Sequence, residues 1–279
     1  MTEASDKLFL FGLGYVAQAL AELWRGEVVA TYRSDEALER VKAAGLSAVS
    51  VDDDQGLADA VAGAHIIISA APNQMGCPAL SKIGPSAQNA KSVTYLSTTG
   101  VYGDLGGGWA FEWTPLAPGS ERARRRVEAE QGWLVQRQDA CIVRLPGIYG
   151  PGRSPMDRAR RGGVQRIIKP GQVFSRAHRD DIASGLLALI NHRTTGVFNL
   201  CDEEAAPPQD VTAYAYQCLG LPVPEGIPIE DANLSDMARS FYAECKRVSN
   251  AKLKAATGWR PQYPTYREGL NAILTAEQR

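Results

Sequence analysis

The sequence predicts an α/β fold in which a doubly wound parallel sheet is followed by a small C-terminal lobe. Through the first two-thirds of its 279 residues, short apolar runs alternate with helical patterns, as in βαβ units. The runs are apolar almost throughout, which is typical of parallel strands covered on both faces. Because crossovers between parallel strands are right-handed, a Rossmann-type sheet is the expected architecture.

The apolar runs and the helical patterns between them define the expected elements. The predicted strands are Lys7–Phe11, Glu27–Thr31, Ala48–Val51, His65–Ser69, Ser92–Leu96, Ala140–Arg144, Gln172–Ser175 and Val197–Leu200. The predicted helices are Val16–Trp24, Asp35–Ala44, one that contains Leu57–Val61, the arginine-rich segment Ser120–Glu130 and Asp181–Ile190.

The character of the chain changes after Gly150. The segment PGRSPMDRARRGGVQ is polar and rich in glycine and proline. We therefore predict a dinucleotide-binding domain over residues 1–150 and a smaller substrate-binding lobe over residues 151–279. The helix at Asp181–Ile190 and the strand at Val197–Leu200 are expected to pack back on the main sheet.

Composition excludes several classes of function. A formal net charge of −1 argues against a protein dedicated to nucleic acid or to a membrane surface. No run approaches the roughly 18 apolar residues that span a bilayer, and no signal peptide is expected from the N-terminal sequence. The five cysteines form no C-x-x-C pair, and the three histidines lack metal-ligand spacing. We predict a cytoplasmic protein with reduced thiols, without a metal, a membrane partner or a nucleic-acid partner.

A glycine loop follows the first predicted strand. GLGYVA supplies Gly12, Gly14 and Ala17 in a G-x-G-x-x-A pattern at the start of a helix. The first glycine permits a tight turn, the second lets the backbone approach a pyrophosphate, and the small third residue lets helix and strand pack closely. The N–H groups of the first turn, including those of Tyr15 and Val16, would face the phosphates. The alternative is a glycine turn that binds no ligand.

The end of the second strand bears on the choice of cofactor. An acid here would hold the ribose 2′-hydroxyl of NAD, but the chain reads ATYRSDE. Arg33 suits the 2′-phosphate of NADP because its planar fork makes bidentate contacts, and Ser34 adds a hydroxyl. The alternatives are that Arg33 is a solvated loop charge, or that Asp35 is the ribose ligand. We favour NADP over NAD.

Two further segments are expected to border the cofactor. Asp52 or Asp53 ends the third strand and could meet the adenine amino group, or could cap the next helix. Ala70, Ala71 and Pro72 follow the fourth strand, where small residues would let the backbone approach the nicotinamide-side ribose.

Several stretches together resemble the extended short-chain dehydrogenase/reductases, the NAD-dependent epimerase/dehydratases. They are the glycine loop, STTGVYG (97–103), RLPGIYGPG (144–152), FSRAHRDDIA (174–183), VFNLCDEE (197–204) and RVSNAKLKAATGW (247–259). The resemblance covers nearly the whole chain and implies that Thr98 is the catalytic hydroxyl. It also implies a set of binding residues: Ser97, Pro146 and Ile148 for the cofactor, and Thr99, Tyr149, Arg153, Arg176 and His178 for the substrate.

The resemblance breaks at the family's catalytic pair. A Tyr-x-x-x-Lys pair is expected on the helix that reads SERARRRVEAE, and Glu130 sets a register that puts Arg122 and Arg126 at those positions. A second register, set by Glu128, holds Ser120 and Arg124. Arginine can bind a ribose but cannot usefully donate a proton, because its pKa is above about 12.

Other groups could replace the missing acid. Tyr102 and Tyr149 are candidates, although they match family positions that are usually structural. His178 is a third, because an unperturbed histidine titrates near neutrality. Arg122, Arg126, Arg153 and Arg176 could converge on an anionic substrate, or the arginine run could be a solvated helix face.

We therefore predict an atypical NAD(P)-dependent oxidoreductase or epimerase/dehydratase that acts on a polar small molecule, nucleotide-sugar-like or anionic. The alternative is a non-catalytic dinucleotide-binding sensor or regulator. The expected state is a monomer or a homodimer. The family's dimer helices would be Pro78–Asn89 and Ser120–Val135, and Gly84 and Pro85 make the first a poor long helix.

Overall fold

The computed structural model describes residues 6–278. The strands are β1 Lys7–Phe11, β2 Val28–Tyr32, β3 Ser47–Ser50, β4 Ala64–Ile68, β5 Ser92–Thr98, β6 Trp109–Ala110, β7 Cys141–Leu145, β8 Gly147–Tyr149, β9 Arg166–Ile168, β10 Arg176–His178, β11 Gly196–Asn199, β12 Gly226–Pro228 and β13 Arg247–Val248. The helices are α1 Tyr15–Leu23, α2 Asp35–Ala43, α3 Asp54–Val61, α4 Pro78–Ile83, α5 Glu121–Gln136, α6 Pro155–Arg161, α7 Arg179–Asn191, α8 Pro208–Cys218, α9 Asp236–Tyr242, α10 Ala251–Thr257 and α11 Tyr266–Glu277.

Seven strands form one parallel sheet in the order β11-β7-β5-β4-β1-β2-β3. The chain runs outward from β1 to β3, returns to β4 beside β1, and then runs outward on the other side. The order therefore reverses between β1 and β4, and the loops that leave these two strands diverge there. The predicted doubly wound α/β class is confirmed.

Helices cover both faces of the sheet. Leu8 and Leu10 of β1 point to the face that carries α1 and α7, whereas Phe9 and Phe11 point to the face that carries α3, α4 and α5. This alternation follows from the two-residue period of a strand. Because both faces are covered, the strands need apolar residues at successive positions, as their sequences show.

The lobe after residue 150 is built from short pairs of strands and several short helices. β10 pairs with β8, β12 with β9 and β13 with β6, and an apolar cluster joins α6, α8 and α11. The same part of the chain also returns α7 and β11 to the main sheet, where β11 pairs with β7. The boundary near residue 150 stays a prediction.

Most of the predicted elements lie within two residues of their observed limits. The predicted strand Gln172–Ser175 is wrong, because the strand begins at Arg176, and only Phe174 forms an isolated bridge, to Ala206. The segment Pro78–Asn89 divides as Gly84 and Pro85 suggested: α4 ends at Ile83, and a short 3-10 helix follows at Ser86–Asn89.

The first turn of α7 contains two buried titratable groups. His178 caps the helix by accepting the Asp180 N–H at 3.2 Å, and its ring lies between those of Tyr149 and Tyr263. Burial lowers the pKa of His178 to about 4, with Asp180 opposing this shift and Arg179 adding to it. Burial raises the pKa of Asp181 to about 6, although two backbone N–H groups donate to its carboxyl.

These two groups act oppositely on stability between pH 4 and 6. The unfolded chain takes up a proton at His178, whose ordinary pKa is 6.5, so this group's contribution to stability is lost as the pH falls. The folded chain holds a proton at Asp181, whose ordinary pKa is 3.8, so this second contribution is lost as the pH rises. In the intact protein the two effects partly cancel.

We predict that His178→Asn removes one side of this balance and keeps a side chain that can cap a helix. As the pH falls from 6 to 4, the variant should gain free energy of unfolding relative to the wild type, by up to about 1.4 kcal/mol per pH unit. Urea unfolding at a series of pH values measures this difference. His192→Asn, at the exposed end of α7, is the matched control, and a difference that does not vary with pH would contradict the prediction.

Candidate functional site

The expected site residues follow the carboxyl ends of the parallel strands. In such a sheet this edge carries the ligand, and the crevice lies where the strand order reverses, here between β1 and β4. The loops after β1, β2 and β4 form the half of the edge where the cofactor is expected. The ends of β5, β7 and β11 form the other half, beside the C-terminal lobe.

The glycine loop is held open at the start of α1. Gly12 has a φ of 91°, donates its N–H to the Thr31 hydroxyl at 2.8 Å and accepts a hydrogen bond from the Ser69 hydroxyl at 2.7 Å. A Cβ at Gly12 would lie 3.1 Å from the Ser69 hydroxyl. Gly14 is exposed and caps α1 without a side chain, and the first turn carries no acid. The N–H groups at this helix start are therefore free to meet an anion.

Tyr15 and Val16 begin this helix in different surroundings. The Val16 side chain is buried in the core, so only its backbone faces the loop. The Tyr15 hydroxyl donates to the Pro151 carbonyl at 2.8 Å, and its ring lies between the guanidinium groups of Arg153, at 5.7 Å, and Arg179, at 5.2 Å. The structure thus brings Tyr15 and Arg153 together and connects the glycine loop to the segment after β8.

The end of β2 presents an exposed arginine. Arg33 makes no hydrogen bond or ion pair with any residue in the described part of the chain. Ser34 accepts the Ala37 N–H at 3.3 Å and so caps α2, while Asp35 lies in the first turn of that helix. The structure therefore favours Asp35 as a helix-dipole residue rather than a ribose ligand. Asp53 caps α3. Asp52 is exposed, and its carboxylate lies 3.6 Å from the Lys82 ammonium.

The remaining expected cofactor residues border the same crevice or the start of the lobe. The loop that follows β4, the strand next to β1, contains Ala70, Ala71 and Pro72. Pro146 joins β7 to β8, and Ile148 pairs with Ala177 of β10.

The end of β5 and the residue after it carry three hydroxyl groups with different surroundings. Thr98 is half-buried, and its oxygen accepts the Gly100 N–H at 3.2 Å, so its own O–H is free to donate to a substrate. Ser97 is buried and donates to Glu130 at 2.5 Å. Its expected contact with the cofactor is therefore corrected to a contact with α5. Thr99 is also buried, in the short helix Thr99–Tyr102.

A buried ion pair fixes this end of the sheet. Glu130 of α5 and Arg144 of β7 are 3% and 5% exposed, and their closest contact is 2.6 Å. Arg144 also donates to the Tyr102 hydroxyl at 3.0 Å, which donates to Asn199 at 2.7 Å. Burial alone would lower the pKa of Arg144, but the hydrogen bonds and charge of Glu130 outweigh it and the net pKa is raised. Sequence reasoning used Glu130 only to set a register; the signal it missed was a lone arginine in the apolar strand CIVRL.

The two arginines that the Glu130 register predicts at the Tyr and Lys positions have different surroundings. Arg126 donates to the Leu96 carbonyl at 2.5 Å and to the Tyr95 hydroxyl at 3.3 Å, so it is fixed beside the end of β5. Arg122 is exposed and has no hydrogen-bond or ion-pair partner among residues 6–278. The nearby Arg124 and Arg125 pair with Glu121, as a solvated helix face would.

Two expected substrate contacts are corrected. Tyr149 is buried against α11, where a side chain at Gly269 would collide with its hydroxyl, and burial raises its pKa. His178 is 1% exposed and caps α7. Arg176 donates from one terminal nitrogen to the carbonyls of Phe174 and Ala206, at 2.8 and 3.1 Å. Its contact with a substrate and the convergence of the four arginines stay predictions.

Tyr102 is also unsuited to proton transfer with a substrate. Its side chain is fully buried, its hydroxyl is engaged by Arg144 and Asn199, and burial raises its pKa.

Several proteins of known structure are similar to this chain. A functionally unknown conserved protein from Silicibacter pomeroyi DSS is 42% identical, covers 99% of this chain and 100% of its own, and superposes with a TM-score of 0.91. The chain belongs to the family of that protein. The dTDP-glucose 4,6-dehydratase of Bacillus anthracis, solved with NAD, is 17% identical with a TM-score of 0.78 over 98% and 97% of the two chains. The chain thus has the same fold as that dehydratase.

One curated relative has a stated activity. A 3-diazoavenalumate denitrifying reductase from a Streptomyces species is 27% identical in a match of length 161 residues that covers 52% of this chain. The match spans about half of that reductase, 51% of its length. No family model matches the sequence.

The carboxyl edge of the sheet thus carries groups that can bind a ligand, orient it and stabilise charge on it. Between residues 6 and 278, no helix is long and apolar enough to cross a membrane, and no group of three or more acidic, histidine or cysteine side chains could hold a metal ion. The polar groups at the end of β5 are Thr98 and the fixed charge of Arg126. Neither is an effective acid at neutral pH.

We predict that removing one partner of the Glu130–Arg144 pair costs about 3–5 kcal/mol, because an uncompensated buried charge remains. Glu130→Leu and Arg144→Met should each lose that much in urea unfolding, whereas the double variant should recover most of it. Glu121→Gln, which breaks an exposed pair on the same helix, should change the free energy of unfolding by less than about 1 kcal/mol. Additive losses in the double variant would refute the coupling.

Proposed function

We propose that the protein binds NADP(H) in preference to NAD(H) and is an oxidoreductase that acts on a polar, anionic small molecule. The observation that carries this proposal is the pairing of an open glycine loop with an unpartnered arginine. Gly12 and Gly14 offer a cradle for a pyrophosphate, and Arg33 stands at the end of the neighbouring strand with its donors free.

The residues at the crevice suit a dinucleotide. A side chain at Gly12 would press on Ser69, so the loop is kept small where a phosphate would approach. Free N–H groups at the start of α1 supply donors for the pyrophosphate. When bound, the nicotinamide cofactor would donate or accept a hydride. The NAD complex of the dehydratase with the same fold supports a nicotinamide dinucleotide as the ligand.

Arg33 supports the preference for the phosphorylated cofactor. A guanidinium binds a phosphate through two parallel hydrogen bonds, whereas a ribose 2′-hydroxyl is usually held by a carboxylate. Ser34 is engaged as the cap of α2 and Asp35 lies in that helix. Arg33 is therefore the residue at this strand end that remains free to select between the cofactors.

The residues at the end of β5 favour a reaction that needs no proton from a tyrosine. Thr98 can donate a hydrogen bond to a substrate oxygen, and Arg126 places a fixed positive charge beside the same strand end. General acid catalysis is typically worth about 10²–10⁴-fold, so a carbonyl-to-alcohol reaction would be slow here. A group that accepts a hydride without simultaneous protonation would not suffer this loss.

The Streptomyces relative supports this class of reaction. Its name describes a denitrifying reduction of a diazo compound, not the reduction of a carbonyl. By extension we propose a reductive reaction for this chain, with an epimerase or dehydratase reaction as the less favoured assignment.

We predict that the cofactor preference depends on Arg33. In calorimetric titrations, the wild type should bind NADPH more tightly than NADH, and Arg33→Gln should weaken NADPH binding at least tenfold with little change for NADH. Arg40→Gln is a matched control, since Arg40 lies on the exposed face of α2 in a pair with Glu36. Failure of the wild type to bind any dinucleotide would overturn the proposal, and equal losses for both cofactors would overturn the assignment of Arg33.

A non-catalytic cofactor sensor is the second candidate, favoured by the absent Tyr/Lys pair. Arg126→Ala separates the two functions. For an enzyme, NADPH oxidation in a screen of diazo compounds, ketones and aldehydes should fall at least a hundredfold in the variant, while Arg124→Ala should retain it. A sensor would bind NADPH, show no turnover with any of these compounds, and change only its binding in Arg126→Ala.

A further inference from the structure

Three aromatic side chains stand together on the surface, in the segment between β5 and α5. Trp109, Phe111 and Trp113 form this aromatic patch. The rings of Phe111 and Trp113 are stacked, with centroids 4.9 Å apart and planes within 4° of parallel, and the Trp109 ring lies 6.5 Å from that of Phe111. Trp109 is 53% exposed and Trp113 is 74% exposed. Contiguous exposed apolar side chains of this kind are typical of a binding site.

The backbone beneath the aromatic patch is held from its inner side. β6, which contains Trp109 and Ala110, pairs with β13, and the Ala110 carbonyl accepts the Ser249 N–H at 3.0 Å. Ala110 is fully buried in an apolar cluster with Tyr102. Because successive side chains of a strand point to opposite faces, the burial of Ala110 turns Trp109 and Phe111 outward.

A tight turn brings Trp113 onto the ring of Phe111. The Thr114 N–H donates to the Phe111 carbonyl, and the Phe111 N–H donates to the Thr114 hydroxyl, both at 2.9 Å. Glu112, between the two aromatic residues, is turned inward, where its carboxylate accepts a backbone N–H at 2.9 Å. The stack is therefore formed before any ligand arrives, which lowers the entropy cost of binding.

Glu112 also places the aromatic patch at the carboxyl edge of the sheet. Its carboxylate accepts the N–H of Asn199, the last residue of β11, and its carbonyl accepts the Arg144 guanidinium of β7 at 3.4 Å. Arg144 is in register with Ser97, the residue before Thr98 on the neighbouring strand. Neighbouring strands lie about 4.8 Å apart. The patch thus adjoins the half of the edge where a substrate is expected.

The area of the aromatic patch suits a small molecule and not a protein. A tryptophan buries up to about 250 Å², so the exposed parts of Trp109 and Trp113 amount to on the order of 300 Å². A stable protein interface buries about 800 Å² on each partner. A net charge of −1 does not favour a nucleic acid.

The stack leaves a place for one more ring. Phe111 covers one face of the Trp113 ring, and with three-quarters of Trp113 exposed the opposite face is open to solvent. Aromatic rings attract one another in offset stacks beyond the effect of the apolar area that they bury. A planar ring on the open face would continue the stack that Phe111 begins.

We propose that the aromatic patch binds an aromatic ring of the substrate, which stacks on the open face of Trp113. The ring is then held at the sheet edge, and the polar part of the substrate is left to reach Thr98. This inference rests on the proposed function and deepens it, because it adds an aromatic ring to the polar, anionic molecule proposed there.

Titration of the cofactor-free protein with two matched acids tests the aromatic patch. The probes are 2-naphthoate and its saturated counterpart, decahydro-2-naphthoate, which share a charge and a ring skeleton but differ in the π face. We expect calorimetry to show that the wild type binds 2-naphthoate about tenfold more tightly, as stacking on one aromatic side chain allows. Trp113→Leu should abolish this preference, whereas Trp113→Phe should keep part of it. Val135→Ser, at a position 85% exposed on α5, is the control and should match the wild type.

The outcomes separate the aromatic patch from the cofactor site. The same preference in the wild type and in Trp113→Leu, or no binding of either acid, overturns the inference. A wild type that sediments as a dimer beside a monomeric Trp113→Leu also overturns it, because the occupant is then a second copy of the chain. NADPH titration of Trp113→Leu should match the wild type. If the wild type binds no NADPH, the proposed function fails, and the preference for 2-naphthoate still decides the patch.

Discussion

The buried ion pair between Glu130 and Arg144 is the constraint on which the carboxyl edge of the sheet depends. It joins α5 to β7, and through the Ser97 and Tyr102 hydroxyls it also holds β5 and the turn that follows it. A charged pair withdrawn from water is not by itself a source of stability, because desolvation offsets most of the attraction. What it provides here is geometry, since a bidentate pair tolerates few other arrangements of the two elements.

This fixed geometry holds α5 against β5. The position of α5 is set by Glu130, one turn beyond Arg126, and so does not depend on which residues face the cleft. Arg126 adds a second contact by donating to the Leu96 carbonyl. On the predicted register, arginines stand at the Tyr and Lys positions while Thr98 stays at the strand end. Under the proposed function, positioning and fixed charge then take the place of acid catalysis.

The sheet was predictable from the sequence because its signals are local. Apolar runs and the glycine loop identified every strand of the main sheet, and the free Arg33 follows from the residue types at the end of β2. The lobe was less predictable. The directions of Tyr149 and Arg176 depend on packing against segments distant in sequence, near Ala206 and Gly269. The ion pair was missed for the same reason: nothing local in CIVRL identifies the carboxylate that meets Arg144.

Two arginines stand at the carboxyl edge of the sheet in different surroundings. Arg33 lies beyond β2, is exposed and has no acid partner among the described residues, whereas Arg126 is held beside β5 by the Leu96 carbonyl. Under the proposed function, the cofactor phosphate would supply the counter-charge of Arg33, and Arg126 would stabilise negative charge on a substrate beside Thr98. Both contributions depend on positioning, which is the remaining requirement for a reaction without a proton donor.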